Sequence, residues 1–200
     1  MASQNNTADN LNHNHKHHLK YKICISGAAE TGHCSKDAVQ KAETLGRAIA
    51  EHGLILVTGA TTGIPYWAAK GAKEAGGTVI GLSPAASKLQ HIKTYKLPTD
   101  YHDIIIYTGF EYAGRNLLLV RSSDAIIFIC GRIGTINEFT IGFEDKKPLG
   151  VLKGSGGTVD MIENILKEAH RGMGKTVFSS DPDELLELLL AAIEKEEKGE

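Results

Sequence analysis

The stretch AIIFICGRIGTINE, residues 125–138, decides how this chain is read. Its first half, Ala125 to Ile129, is apolar without polar alternation, the pattern of a strand buried on both faces. Its second half carries Gly131 and Gly134 and then Thr135-Ile136-Asn137-Glu138, the S/T-x-x-E spacing of a helix capping box. A strand that turns through glycines into a helix is the repeating unit of an α/β sheet, and the same unit recurs on either side. Upstream, YKICISG (21–27), LILVTG (54–59), TVIGLS (78–83) and DIIIYTG (103–109) are strand candidates. Helices are expected over 35–52, 64–75 and 110–122, where apolar residues recur at helical spacing, while 84–101 is less regular. Downstream the pattern gives a helix over 135–145, PLGVL (148–152), a helix near 159–170, TVF (176–178) and an amphipathic helix over 181–194.

Apolar strands alternating with helices indicate a mostly parallel sheet with right-handed crossovers and helices on both faces. The expected fold is α/β and Rossmann-like: one doubly wound domain over 20–195. Before it lies a His/Asn-rich stretch, 1–19, with too little apolar content to be buried, read as a disordered tail; after it comes a charged tail, 196–200. His13, His15, His17 and His18 in the first tail are either a loose chelating cluster or part of a tag, and carry no second shell that would select a metal.

A chain of 200 residues, 42% hydrophobic, suits one domain with a continuous core. A formal net charge of -2 gives no footprint for a nucleic-acid polymer, so a small-molecule partner is the better expectation. The apolar runs are too short to span a membrane, and the N-terminus lacks the apolar core of a signal peptide, so a cytoplasmic protein without membrane contact is expected. Cys24, Cys34 and Cys130 match neither a disulfide framework nor a CxxC pattern and fit a reducing compartment.

In a doubly wound sheet, ligands bind outside the carboxyl ends of the strands. Four glycine-bearing loops follow strands there: SGAAETGHC (26–34), TGATTGIP (58–65), CGRIGT (130–135) and KGSGGT (153–158). Glycine lets the backbone approach an anion, and helix N-termini offer it free N–H groups. The candidate phosphate- or nucleotide-binding positions are Gly27, Ala28, Gly59, Ala60, Thr61, Gly63, Gly131, Arg132, Ile133, Gly134 and Thr135. None of the loops fits GxGxxG or GxxxxGK[ST], which argues against a dinucleotide fingerprint or a P-loop. His33, Cys34 and Cys130 lie in or beside these loops, but their spacing carries no ligand pattern, and they read as ordinary loop and strand-end residues. No metal site and no cofactor are assigned. By spacing alone Glu138 is a capping carboxylate and Arg115 a solvated helix residue.

Read together, the segments say more. GRNLLLVRSSDAIIFICGRIGTINE (114–138) resembles the LOG family, in which an Arg-Lys pair, an S/A-D-A strand and PGGxGTxxE follow at the same intervals. Arg115, Arg121, Asp124, Gly131, Gly134, Thr135 and Glu138 fall in register without a gap. LVTGATTGIPYWAAKGAKEAGGTVIGLSP (56–84) is similar to that family's second glycine block with one residue fewer, as in LOG-like relatives within the wider SLOG superfamily. The resemblance implies a homodimeric nucleotide-binding protein that hydrolyses the N-glycosidic bond of a nucleoside 5′-monophosphate to free base and ribose 5-phosphate. It makes Arg115 and Glu138 the catalytic pair and puts the phosphate at residues 131–135. Such a carboxylate would stabilise oxocarbenium charge or activate water. The family's PGG is Cys130-Gly131-Arg132 here, and its Arg-Lys is Arg115-Asn116. These departures support the alternative of a non-catalytic sensor or carrier of a nucleotide or phosphorylated cofactor. Arg132 either obstructs the anion site or completes it.

Overall fold

The computed structural model describes residues 19–198; the four tail histidines lie outside the described residues, as do 199–200. Strand β1 (Lys22–Gly27) is followed by β2 (Ile55–Thr58), β3 (Thr78–Ser83), β4 (Ile104–Tyr107), β5 (Ala125–Ile129), β6 (Leu149–Leu152) and β7 (Thr176–Ser179). These form one sheet in the order β4-β3-β2-β1-β5-β6-β7, and every pairing is parallel. Chain progression runs outward from β1 in one direction and then, from β5, in the other. The crevice at the carboxyl ends of β1 and β5 is therefore the topological switch point, where a doubly wound sheet opens for a ligand.

Strand alternation sends successive side chains to opposite faces, so an unbroken apolar strand needs a layer on each. Ile23, Ile25, Ile127 and Ile129 join one core, with Leu45 and Ile49 of α1 (Ala38–Glu51), Ala68 and Ala72 of α2 (Ile64–Glu74), and Leu185 and Leu189 of α7 (Pro182–Lys198). Cys24, Ile126 and Phe128 join the other, with Leu119 of α4 (Glu111–Ser122), Phe139 of α5 (Ile133–Glu144) and Ile162 and Leu166 of α6 (Ile162–Glu168). Helices α1 and α2 cross so closely that a Cβ at Gly46 would lie 1.9 Å from the Ala68 carbonyl oxygen, and one at Gly71 2.0 Å from that of Glu43.

Several boundaries differ from expectation. The irregular 84–101 segment contains a short helix, α3 (Lys88–Lys93), capped by Ser87, whose hydroxyl accepts from the Gln90 N–H at 3.2 Å. The helix expected from Val159 begins as a 3-10 turn, Gly157–Met161, and becomes α-helical only at Ile162. Helix α7 continues to Lys198, past the expected domain edge at residue 195. Among the described residues, no helix is long and apolar enough to cross a membrane.

Candidate functional site

A cavity of about 300 Å³ opens at the switch point. Gly27 and Ala28 reach it from the end of β1, Thr61 from the loop after β2, Arg115 from α4, and Arg132, Gly134, Thr135 and Glu138 from the start of α5. Gly27 lets the floor close: a Cβ there would lie 2.5 Å from the Ile129 carbonyl oxygen at the end of β5. The volume is at the small end of small-molecule sites, which span about 300–1,000 Å³.

The capping-box reading of 135–138 is corrected by the geometry of the turn. Helix α5 begins at Ile133, its N-cap is Arg132, and no side chain caps it. Cys130 and Gly131 take left-handed angles, φ +57° and +101°, and so turn the chain into the helix two residues before Thr135. Thr135 then sits inside the first turn, packed against Gly131, where a Cβ would lie 2.6 Å from the Thr135 Cβ. Glu138 falls in the second turn, too far along to reach the cap, and points inward instead.

There Glu138 is 6% exposed and Arg115 5%. Their ion pair, Nη1 to Oε1, spans 3.5 Å, so Arg115 is not the solvated helix residue that its spacing alone suggests. Ser26 donates a short hydrogen bond to Oε2. With its amide and that of Asn137 both turned, Asn116 donates to Oε1 at 2.8 Å and to the Tyr112 carbonyl at 2.9 Å, and accepts from Asn137 at 2.9 Å. Burial pushes the Glu138 carboxyl above the ordinary carboxylate range, against the opposing pull of Arg115 and of the Ser26 hydroxyl. The Arg115 guanidinium lies against Gly59, where a Cβ would stand 2.1 Å from Nη1, and its Nε is buried without a hydrogen-bond partner. Gly59 is thus the platform under the arginine and is not among the residues that line the cavity.

The remaining candidates support the cavity without lining it. Ala60 is buried, with φ +51°. Gly63 has φ +71° and brings its loop against the first, where a Cβ would lie 2.2 Å from the Ala28 carbonyl oxygen. Ile133 is 79% exposed at the helix start. Ser26 and Ala29 were not singled out by sequence, and Asn116 and Tyr112 only as departures from the LOG pattern, yet Ser26 holds Glu138 and the other three line the cavity. Arg121 and Asp124, in register with the LOG pattern, do structural work instead: Arg121 pairs with Asp145 at 2.9 Å, and Asp124 accepts from the Lys22 backbone N–H at 2.7 Å.

Arg132 does not obstruct the loop. Its backbone is extended, φ -132°, so the position makes no demand for glycine. Its guanidinium sits at the cavity rim, paired with Glu30 at 3.0 Å, both side chains largely exposed. The first N–H groups of α5 have no intrahelical acceptor, and together with Arg132 they make one wall of the cavity a place for an anion.

The reading of the rim cysteines as ordinary loop residues is also corrected. Cys34 and Cys130 form a disulfide with Cα atoms 5.5 Å apart, and His33 lies beside it. Parallel pairing of β1 with β5 is what brings together two thiols 96 residues apart.

The profile of the SLOG cluster4 family matches residues 20–186. The chain belongs to that family. Among its relatives, an uncharacterized protein of Archaeoglobus fulgidus is 35% identical over 132 residues, 66% of this chain and 82% of the relative. Among solved structures, the molybdenum cofactor binding protein of Rippkaea orientalis superposes with a TM-score of 0.73 at 29% identity, covering 88% of this chain and 98% of that one. The molybdenum cofactor carrier protein of Chlamydomonas reinhardtii gives a TM-score of 0.68 at 30% identity, covering 86% and 99%. The SLOG cluster4 chain thus shares its fold with these proteins over nearly their full length, and that α/β Rossmann-like fold is the one expected from the sequence.

Proposed function

We infer that this SLOG cluster4 protein holds a small phosphorylated cofactor at the switch-point cavity without turning it over, and that its cargo is of the molybdenum-cofactor class, a phosphorylated pterin. The observation that carries this reading is the enclosure of Glu138. Its Oε2 is taken by Ser26, and its Oε1 by Arg115 and Asn116. A general base or an oxocarbenium-stabilising carboxylate must present an oxygen to the reacting atoms, and an acid with both oxygens engaged is placed to shape a pocket floor. The phosphate falls to the α5 N-terminus and Arg132, whose cation offers charge-assisted contact. Likeness to two molybdenum-cofactor proteins over nearly their full length supports the choice of cargo.

A second reading, hydrolysis of a nucleoside 5′-monophosphate to base and ribose 5-phosphate, is favoured by one observation: Arg115 and Glu138 lie together in the cavity, as the LOG resemblance implies. The two are separated by incubating the protein with a panel of nucleoside monophosphates, assaying free base and ribose 5-phosphate, and titrating the same protein with molybdenum cofactor released from a donor enzyme. Saturable cofactor binding with no base release supports the carrier. Base release that disappears in Glu138→Gln overturns it in favour of the hydrolase. In either case we expect a cytoplasmic homodimer: Phe110, Leu117 and Leu118, on and beside α4, and Ile104 and Ile106 of the edge strand β4 are all at least 36% exposed in the single chain. Light scattering of the purified protein reads the oligomeric state.

A further inference from the structure

The geometry points to a metal site that the cavity does not use: when the Cys34–Cys130 disulfide is opened, the two thiolates and the His33 imidazole form a three-ligand site for a thiophilic d10 ion such as Zn²⁺. One donor atom from each of the three residues lies within 4.8 Å of the others, so a metal can be gathered by side-chain movement alone. The neighbouring loop is built to admit this cluster. Glycines at 156 and 157 leave the room: a Cβ at Gly157 would stand 3.0 Å from Cys130 Sγ, and one at Gly156 3.1 Å from the Cys34 α-carbon. A backbone bridge from Cys34 to Gly156, and a bond from the Cys130 N–H to the Ser155 hydroxyl at 2.8 Å, hold both cysteines to that loop independently of the disulfide. His33 is exposed and makes only a 3.3 Å contact with the Gly131 carbonyl, so its ring is free to turn and its side gives the ion an entry path to the buried Cys130.

Two thiolates and one imidazole with an open fourth position suit Zn²⁺, while carboxylate-preferring Mg²⁺ and Ca²⁺ are excluded by the donor set. Opening the disulfide takes two electrons and two protons from a dithiol reductant, which leaves as its own disulfide. Binding the metal then releases the two thiol protons to solvent. The site therefore exists only in the reduced protein. Cys24, the free buried cysteine, belongs to the other side of the sheet and takes no part.

Full-length protein is oxidised with diamide or reduced with a phosphine, desalted without oxygen, and titrated with Co²⁺ as a spectroscopic probe and with Zn²⁺ against a chromogenic chelator. The four tail histidines are present in both forms, so the difference between the forms isolates this site. The expected result is one further equivalent of metal in the reduced protein, with a sulfur-to-cobalt charge-transfer band that is lost in Cys34→Ser and weakened in His33→Ala. Equal uptake by the two forms, or a band that survives in Cys34→Ser, overturns the proposal. If Cys34→Ser does not fold, the comparison of reduced and oxidised wild type and the His33→Ala titration still decide. The test reads metal alone and does not depend on what the cavity carries.

Discussion

Replacing Arg115 with Met tests whether the buried pair is as coupled as its geometry says. Both partners are more than nine-tenths buried, and removing one leaves the other desolvated without its counter-charge. Breaking a buried pair in this way costs about 3–5 kcal/mol. For a domain of this size each kcal/mol moves the melting temperature by about 2–4 °C, so the expected loss is roughly 6–20 °C. The loss is also pH-dependent, with a definite sign. Burial already raises the folded Glu138 carboxyl above its unfolded value, and Arg115 is the main opposing influence. Without it the folded value rises further. A carboxyl whose folded value is raised costs stability as pH climbs from the unfolded value through the folded one, because over that window the native state holds the extra proton. Urea titrations across the acid to mildly alkaline range should therefore show Arg115→Met nearest to wild type at low pH and furthest from it at high pH. The double variant Arg115→Met/Glu138→Gln removes both charges and should recover most of the loss. A cost below about 1 kcal/mol that does not change with pH would refute the coupling, since that is the size of an exposed, screened pair.

Three further outcomes follow from backbone and surface geometry. Arg132→Ala removes only an exposed pair with Glu30, so thermal melting should shift by less than about 3 °C, while affinity for a phosphorylated ligand in calorimetry should fall about tenfold or more, the weight of one charge-assisted hydrogen bond. Gly63→Ala sets a Cβ at φ +71° against the Ala28 and Ala29 carbonyls and should lower the urea midpoint by the equivalent of about 2–4 kcal/mol, from left-handed strain plus overpacking. Lys146→Gly, just beyond α5 and exposed at φ +57°, relieves the same strain with nothing to clash and should raise stability by about 0.5–1 kcal/mol in the same assay.

Strand positions were legible because each strand centres on a short cluster of apolar, mostly β-branched residues, and the parallel sheet followed from burial on both faces. The strand order was not legible, since pairing of β1 with β5 depends on contacts about 100 residues apart. What went unread at the site depends on that pairing. Ser26 looked like one more residue of a buried strand, yet as the second-last residue of β1 it faces Glu138 across the switch point. Cys34 and Cys130 had no spacing to announce them, because the fold and not the local sequence makes them neighbours. The capping box misled for a local reason: its four letters are those of a helix start, but the helix had already begun.

The departure of Cys130-Gly131-Arg132 from a PGG loop is what separates the two functional readings. The loop's left-handed angles fall on Cys130 and Gly131, so position 132 is free to carry any side chain, and here it carries a cation. An arginine at the rim adds attraction for a phosphate that is equally strong before, during and after any reaction elsewhere on the ligand. Binding that does not change along the reaction coordinate tightens the complex without lowering the chemical barrier, and it slows release of a phosphorylated product. A hydrolase gains little from that change, because ribose 5-phosphate must leave. A carrier gains residence time. The same argument applies to Glu138, whose enclosure by Ser26, Arg115 and Asn116 fixes the carboxylate in place as part of the pocket floor. Under the carrier reading, both features act on ligand retention within one cavity.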